Sequence, residues 1–566
     1  MKKLTLFLIC ILIAGMQFAN AQTKSISGAV TSKEDGTSIP GVSVAVKGTT
    51  LGTVTNLDGK FELSIPSDAK TLVFSFIGMK NLEVEIGSQT SFNISMETDV
   101  FSVDEVVVVG YGTQKKREVT GAISQVKGDE LKSLAAPSLE SQLAGRAAGV
   151  QVTSTNGVLG VAPRIRIRGI GSITSGTYPL VVVDGIPVAT GDLGGYASNN
   201  ALTDINPADI ESVEILKDGS ATAIYGSRAA NGVMLITTKK GAKGKFKVTY
   251  NNYLGIAQPV NLFDLLNAEE FIEIANEKRT NKAQTAIAVD GGVDTDWQKE
   301  VLRSNAFQQD HNLSMSGATD MNSYYFSLGY TSQEGVSKPN EMVRYSARAN
   351  MDQKVKKWLT IGANIGVTQS EYAGMNTGEN SLSGNIFSAI RQLPNTPVMN
   401  PDHPTGYNID FDAPGLVGKW KNLQTIDDNL PNIIYTLDKN KFNTKNLRAI
   451  GNAYASFDIV PGLNYKFQMG IDRNGSEGLL YYNALHGDGQ SVKGRVQNSY
   501  DSYTRWNAQN IISFNKTFVD VHNVSAVGVA EYQKHQLQKH YAHQQMFLQL
   551  VLLNTRNRDT IHLMAL

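Results

Sequence analysis

Apolar and polar residues alternate along most of this chain, in three different textures. Between Ser25 and Thr98 the alternation comes in short runs, SISGAV, VSVAVKG, KFELSIP, LVFSFIG and FNISME, punctuated by Asp35-Gly36, Pro40-Gly41 and Asp58-Gly59. Strands at roughly ten-residue spacing with turn dipeptides between them predict a small β-sandwich. From Thr113 to Gly241 helix and strand signals mix. Ser138 predicts the N-cap of a short helix, LESQLAG, that stops at Gly145, and Asn206-Pro207 predicts a second helix with proline at its first position. RIRIRG, LVVVDG, SVEILKDG and GVMLITTKKG predict strands, the first with Ile165 and Ile167 on one face and Arg164, Arg166 and Arg168 on the other. The sum is a small α+β domain.

From Ala242 to Tyr532 alternation becomes the rule. Phe246, Val248, Tyr250, Leu254 and Ile256 share one parity; so do Tyr324, Phe326, Leu328 and Tyr330, and so do Leu359, Ile361, Ala363, Ile365 and Val367. The opposite positions carry Ser, Asn, Thr, Gly, Arg and Lys. Runs of about ten residues match a tilted strand crossing a bilayer, and short turns such as Val460-Pro461-Gly462 alternate with long polar connections such as Glu371 to Asn446. A soluble sheet with one buried face produces the same alternation. Trp358, Tyr465 and Trp506 near strand ends favour the membrane, where aromatic rings gather at interfaces.

Charge adds little: 52 basic and 52 acidic residues balance, so nothing marks a nucleic-acid binder. The N-terminus changes more. Lys2 and Lys3, the apolar Leu4–Ala14 and the small-x-small Ala19-Asn20-Ala21 predict a signal peptide cleaved after Ala21. The lone cysteine, Cys10, lies within it, so the exported chain would be held without disulfides. Between the first two textures lies VDEVVVVGYGTQKK, Val103–Lys116, four valines flanked by acids on one side and by glycine and bases on the other. It suits a β-prone segment offered to a partner's sheet edge, or a last strand of the sandwich.

Catalytic patterns fail on inspection. NLDGKFE lacks the repeated carboxylates of a calcium loop, GIGSIT has two of three dinucleotide-binding glycines, and Ser124-x-x-Lys127 stands without its partner motifs. There is no HExxH and no nucleophile elbow. The chain is expected not to be an enzyme, with no catalytic residues, no cofactor and no metal.

The motifs GRAAGVQV, RIRIRGIGSI, YPLVVVDGIPV and INPADIESVEILKDGSATAIYGSRAANGVMLITTKKG (Ile205–Gly241) resemble the plug domain of SusC/RagA-type TonB-linked outer-membrane receptors. GTSIPGVSVAVKGT, TNLDGKFELSIP and FSFIG resemble the carboxypeptidase regulatory-like domain that precedes that plug. The resemblance implies a mainly β chain: an N-terminal β-sandwich, a small α+β plug and a transmembrane antiparallel β-barrel. Its predicted order is signal peptide 1–21, sandwich 22–98, TonB box and linker 99–112, plug 113–241, partial barrel 242–532 and an atypical tail 533–566. It names Val103, Asp104, Glu105, Val106, Val107, Val108, Val109, Gly110, Tyr111 and Gly112 as the TonB box, the partner-binding segment. It also implies outer-membrane import of glycans or oligopeptides, energised by TonB and assisted by a SusD-like surface lipoprotein; substrate contacts stay unassigned.

Two features depart from that family. Nine or ten strands are readable after the plug where the family builds twenty-two, so the barrel is expected to be incomplete. Beyond Gln533 glycine vanishes, His535, His540, His543 and His562 appear, and QMFLQLVLL loses the alternation, which reads as an out-of-frame or truncated tail rather than a metal site. A non-functional fragment of an importer and a secreted structural or adhesive β protein therefore stand as alternatives.

Overall fold

A computed structural model of the chain describes residues 23–545 apart from 34, 50, 68, 77–78, 98–105, 110–111, 116–121, 132–137, 173–175, 245, 375–384, 419–429 and 519–521. The proposed signal peptide, part of the valine segment (Val103–Glu105, Gly110 and Tyr111) and the end of the tail, 546–566, lie outside the described residues.

The first unit is a two-sheet sandwich. Strands β1 (Thr23–Ser32), β4 (Lys60–Pro66) and β7 (Ser91–Met96) form one sheet in the order β4-β1-β7. The strands β2 (Ser43–Val46), β3 (Gly52–Val54), β5 (Thr71–Ser75) and β6 (Leu82–Glu85) form the other in the order β3-β2-β5-β6. Period-two alternation fills the space between them: Ile26, Val30, Val44, Phe61, Ile65, Leu72, Phe74 and Ile94 pack into one core. The supposed calcium loop is a hairpin turn, in which Asn56 Oδ1 accepts from the Asp58 and Lys60 amides, 3.0 and 2.9 Å away.

The valines lead to β8 (Val106–Val109), which pairs with β9 (Gly112–Lys115) in a two-stranded sheet of its own. Neither strand joins the sandwich or the sheets that follow.

In the second unit, the plug part holds a mixed sheet in the order β10-β15-β16-β13-β14, from β10 (Ile123–Lys127), β13 (Leu180–Val183), β14 (Ile186–Pro187), β15 (Ile210–Leu216) and β16 (Val233–Thr238). A hairpin of β11 (Val150–Thr153) and β12 (Arg164–Ile167) stands beside it, with Ile165 and Ile167 buried and Arg164 exposed. Ser138 caps the helix Leu139–Gln142 as expected, and Gly145 breaks it at φ +75°. Asn206-Pro207 opens only one turn of 3₁₀ helix, Pro207–Asp209.

The remaining nine strands make one antiparallel sheet in sequence order: β17 (Lys247–Ala257), β18 (Ala306–Ala318), β19 (Asn322–Glu334), β20 (Glu341–Lys356), β21 (Leu359–Gly374), β22 (Lys441–Val460), β23 (Leu463–Tyr482), β24 (Arg495–Phe518) and β25 (His522–Gln545). Among the described residues β17 and β25 are its two edges, so the barrel is incomplete.

Its two faces are inverted relative to a soluble sheet. Leu254, Ile256, Leu328, Ile361, Ile365, Met469 and Ile512 point outward and are exposed. Arg344, Asn350, Ser370, Asn446, Arg448, Asp472 and Gln509 point inward and are buried against the plug. An apolar outside with a polar inside is the pattern of a membrane-spanning wall, in which every backbone group is satisfied strand to strand.

Some boundaries move. Strands run 11 to 24 residues, not ten, because the upper halves of β22–β25 continue beyond the apolar band. The connection expected from Glu371 to Asn446 shrinks accordingly to 375–440. Trp358 stacks on Phe457 at the short-turn end, and Phe457 on Tyr465, giving one aromatic girdle. Trp506 sits within β24 rather than near its end, paired with Ile471. At about 3.3 Å per residue and a tilt near 40°, it lies roughly 30 Å from the strand's lower end, where the opposite interface falls. Strand β25 continues through Gln533 to Gln545 in register with β24, and this register puts His535 and His540 on opposite faces.

Candidate functional site at the plug–wall interface

The described residues bring the greatest density of buried charge together where the plug meets the inner face of the wall. The plug supplies Asp184, from the turn after β13, and Asp204 and Asp209, from the two 3₁₀ turns before β15. The wall supplies Arg344 and Arg348 of β20, Arg448 of β22 and Asp472 of β23. Period two explains why the wall residues meet there, since all occupy inward parity.

Arg448 is the centre. It is 1% exposed and holds Asp472 bidentately, Nε to Oδ1 at 2.9 Å and Nη2 to Oδ2 at 3.0 Å. The remaining donors reach the plug backbone, Nη1 to Ala201 O and Nη2 to Ala189 O at 3.2 Å. Asp472 Oδ2 accepts in turn from the Ala189 amide at 2.7 Å. The plug thus binds a preassembled wall ion pair through its main chain.

Asp204 is held from the wall by Ser370 Oγ and Asn446 Nδ2, each donating over 2.7 Å. Burial pushes its carboxyl up to about 6, against the opposing pull of Arg448. Arg344 donates to Thr203 O at 2.5 Å and to Thr331 Oγ1 at 2.9 Å. Arg348 lies 3.5 Å from Asp184 and 3.8 Å from Asp209; Tyr325 OH also donates to Asp209, at 2.8 Å. Amide side chains complete the seal: Asn452 and Gln468 donate to Asp184 O, and Gln509 to Gly185 O.

No residue in this set is poised as a nucleophile with a base; the arrangement clamps one polar surface onto another. The sequence reading singled out none of it. Its signal was present, however, as charged residues at inward parity in otherwise regular strands. Of the proposed TonB box, Val106–Val109 and Gly112 fall in the β8–β9 hairpin.

On the opposite end of the strands from the short turns, the long connections fold together. Trp297, Val301, Ala389, Ile433 and Leu437, from the 258–305 and 375–440 connections, share a core. His486, from the 483–494 connection, is fully buried; its Nε2 accepts from the Asn432 amide at 2.6 Å and its Nδ1 donates to Pro414 O at 2.6 Å.

Comparison with known proteins agrees with this architecture. Residues 115–233 match the TonB-dependent Receptor Plug Domain, and residues 26–108 match the CarboxypepD_reg-like domain. The chain is 34% identical to TonB-dependent receptor P3 of Formosa agariphila over 551 residues, which is 96% of this chain and 51% of that protein. The chain carries the plug and CarboxypepD_reg-like domains, and in sequence and fold it is similar to TonB-dependent receptors of the SusC/RagA type. TonB-dependent receptor SusC of Bacteroides thetaiotaomicron is 39% identical over 347 residues, covering 61% of the chain and 34% of SusC. The structure titled as the RagAB peptide transporter superposes with a TM-score of 0.65 at 23% identity, over 79% of this chain and 51% of that one. The chain thus spans about half the length or less of the curated relatives it matches.

Proposed function

We propose that the chain is the plug-bearing part of an outer-membrane importer. In this reading cargo enters from the side of the long connections, and TonB draws on the segment Val103–Gly112 to shift the plug from the wall. Glycans or oligopeptides are the cargo, delivered with a SusD-like surface lipoprotein. The inverted wall and its hydrogen-bonded plug are the observation that supports this most. Each neutral hydrogen bond across the seal is worth only about 1 kcal/mol net, because water can replace it. A mechanical pull can therefore break the interface and re-form it.

The β8–β9 hairpin supports the handle reading, since the valines are committed to no larger sheet. The test is Val107→Pro in the complete locus, which removes a backbone donor from the strand offered to a partner. Growth on a glycan and oligopeptide panel should be lost while the receptor's level in the outer-membrane fraction is unchanged. Growth equal to the parent strain would refute coupling through this segment.

A further inference from the structure

A cleft of about 730 Å³ opens between plug residues 178–196 and the upper parts of β24 and β25. Its charges are unequally committed. Arg228 is engaged by Glu531 and Gln533, and Arg505 lies over the Tyr503 ring and donates to Pro187 O at 3.4 Å. One of the acids is less satisfied. Asp501 is 5% exposed, yet its Oδ1 has no hydrogen-bond partner. The nearest cation is Lys539 at 4.0 Å, whose side chain is half-exposed. Across the cleft, Asp192 uses Oδ1 to accept from the Gly194 amide at 2.9 Å.

The plug backbone is shaped around Asp501. Gly194 has φ +104°, and a Cβ there would lie 2.4 Å from Asp501 Oδ2. Glycine lets the loop close over the carboxylate, which leaves Oδ1 buried in the cleft wall without a donor. Aromatic rings of Tyr196, Tyr503 and Tyr541 line the same space. A buried acceptor without a donor is costly, and a cation between carboxylates and ring faces meets both kinds of attraction.

From this we infer that the cleft is a binding site for a cationic group, a protonated primary amine or a guanidinium, carried by a polar ligand. Lys539 occupies the approach as an internal stand-in that an incoming amine displaces. The inference deepens the importer reading by naming a ligand chemistry, but binding to solubilised protein requires no transport, so the two fail separately.

The experiment is calorimetric titration of the detergent-solubilised full chain, at about 0.15 M salt, with tetralysine and with tetralysine whose amines are all acetylated. Tetralysine should bind and the acetylated peptide should not. Asp501→Asn, an isosteric change, should weaken tetralysine about tenfold or more, consistent with loss of a charge-assisted contact. Lys539→Met should tighten it several-fold, a gain that a misfolded variant cannot imitate. Equal binding of the acetylated peptide, or unchanged affinity in both variants, overturns the site. Tetralysine bound through Asp501 in a protein that imports nothing would sink the importer reading and leave this one standing.

Discussion

His486 should make the outer lobe acid-labile. Its two hydrogen bonds fix the neutral tautomer: Nδ1 carries the proton given to Pro414 O, and Nε2 must keep its lone pair for the Asn432 amide. That amide is the N-cap of the helix Ile433–Lys439. Protonating Nε2 would set donor against donor in a site with no exposure, beside the Tyr435 ring and within the field of His403. Burial accordingly pushes the imidazole down to about 4 from its usual 6.5. Because the folded value is depressed, the stabilisation is fully present above 6.5 and is lost as pH falls toward 4. At about 1.4 kcal/mol per pH unit the whole interval is worth roughly 3 kcal/mol, of which about 2.5 is gone by pH 4.5. Hydrogen-exchange mass spectrometry of peptides covering 385–398, 430–440 and 483–490 measures this directly. After correction for intrinsic rates, lobe opening should become about 70-fold more favourable between pH 7.5 and 4.5. In His486→Gln, whose side-chain oxygen can still accept, the pH dependence should vanish. A wild-type lobe equally protected at both pH values, or a His486→Gln lobe that loosens just as much, would refute the reasoning.

Arg448→Ala should leave Asp472 buried and unpaired, destabilising the docked plug by about 3–5 kcal/mol, read as a lower urea midpoint by plug-specific proteolysis. Arg448→Met with Asp472→Leu should recover much of that loss, since no uncompensated charge remains. Asp204, with its carboxyl raised to about 6, has the opposite sign to His486: its contribution is present below about 4 and fades as pH rises through 6. In Asp204→Asn that slope, about 2 kcal/mol in the docking equilibrium between pH 4.5 and 7.5, should disappear, as measured by denaturant midpoints at those two pH values. Gly194→Ala should lift the loop off Asp501, because neither its φ nor its space accepts a Cβ, and tetralysine binding should fall with it.

The parts legible in the sequence were those governed by period. Strict alternation in Leu359–Val367 and Tyr324–Tyr330 placed each side chain on the correct face, because a one-residue slip would turn the whole row over. Ser138 and Gly145 marked a helix through local chemistry alone. Strand ends were not legible. The upper parts of β24 and β25 leave the apolar band, so Thr504, Ser502 and Gln538 carry no hydrophobic signal although the ladder continues. The clamp was also unread, for a different reason. Asp204 and Ser370 are 166 positions apart, and Arg448 and Ala201 are 247 apart. Nothing local tells a lumen arginine that faces water from one that closes on a plug carbonyl. The outer lobe repeats the point, since Trp297 and Ile433 meet only after the strands have brought their connections together.

A polar seal suits the proposed importer, in which the plug must leave the wall and return. An apolar interface of this extent would be held at about 25 cal/mol for each Å² buried, with nothing in water to offset its separation. Here the strongest pair, Arg448–Asp472, lies wholly on the wall and survives removal of the plug. The contacts that cross are mostly neutral donors on plug carbonyls, from Asn452, Gln468, Gln509 and Thr368, each replaceable by water. Ion pairs cross as well: Arg228 with Glu531 and Lys240 with Asp352 have half-exposed cations that water already reaches, whereas Arg348 is buried and both of its carboxylates belong to the plug. Withdrawal of the plug leaves that guanidinium alone on the wall, where it must hydrate. The cost of opening therefore concentrates at Arg348, and Arg348→Gln should lower the force at which the plug yields while sparing the Arg448 clamp. Single-molecule pulling on the N-terminal segment would measure it, and an unchanged yield force would place the resistance elsewhere.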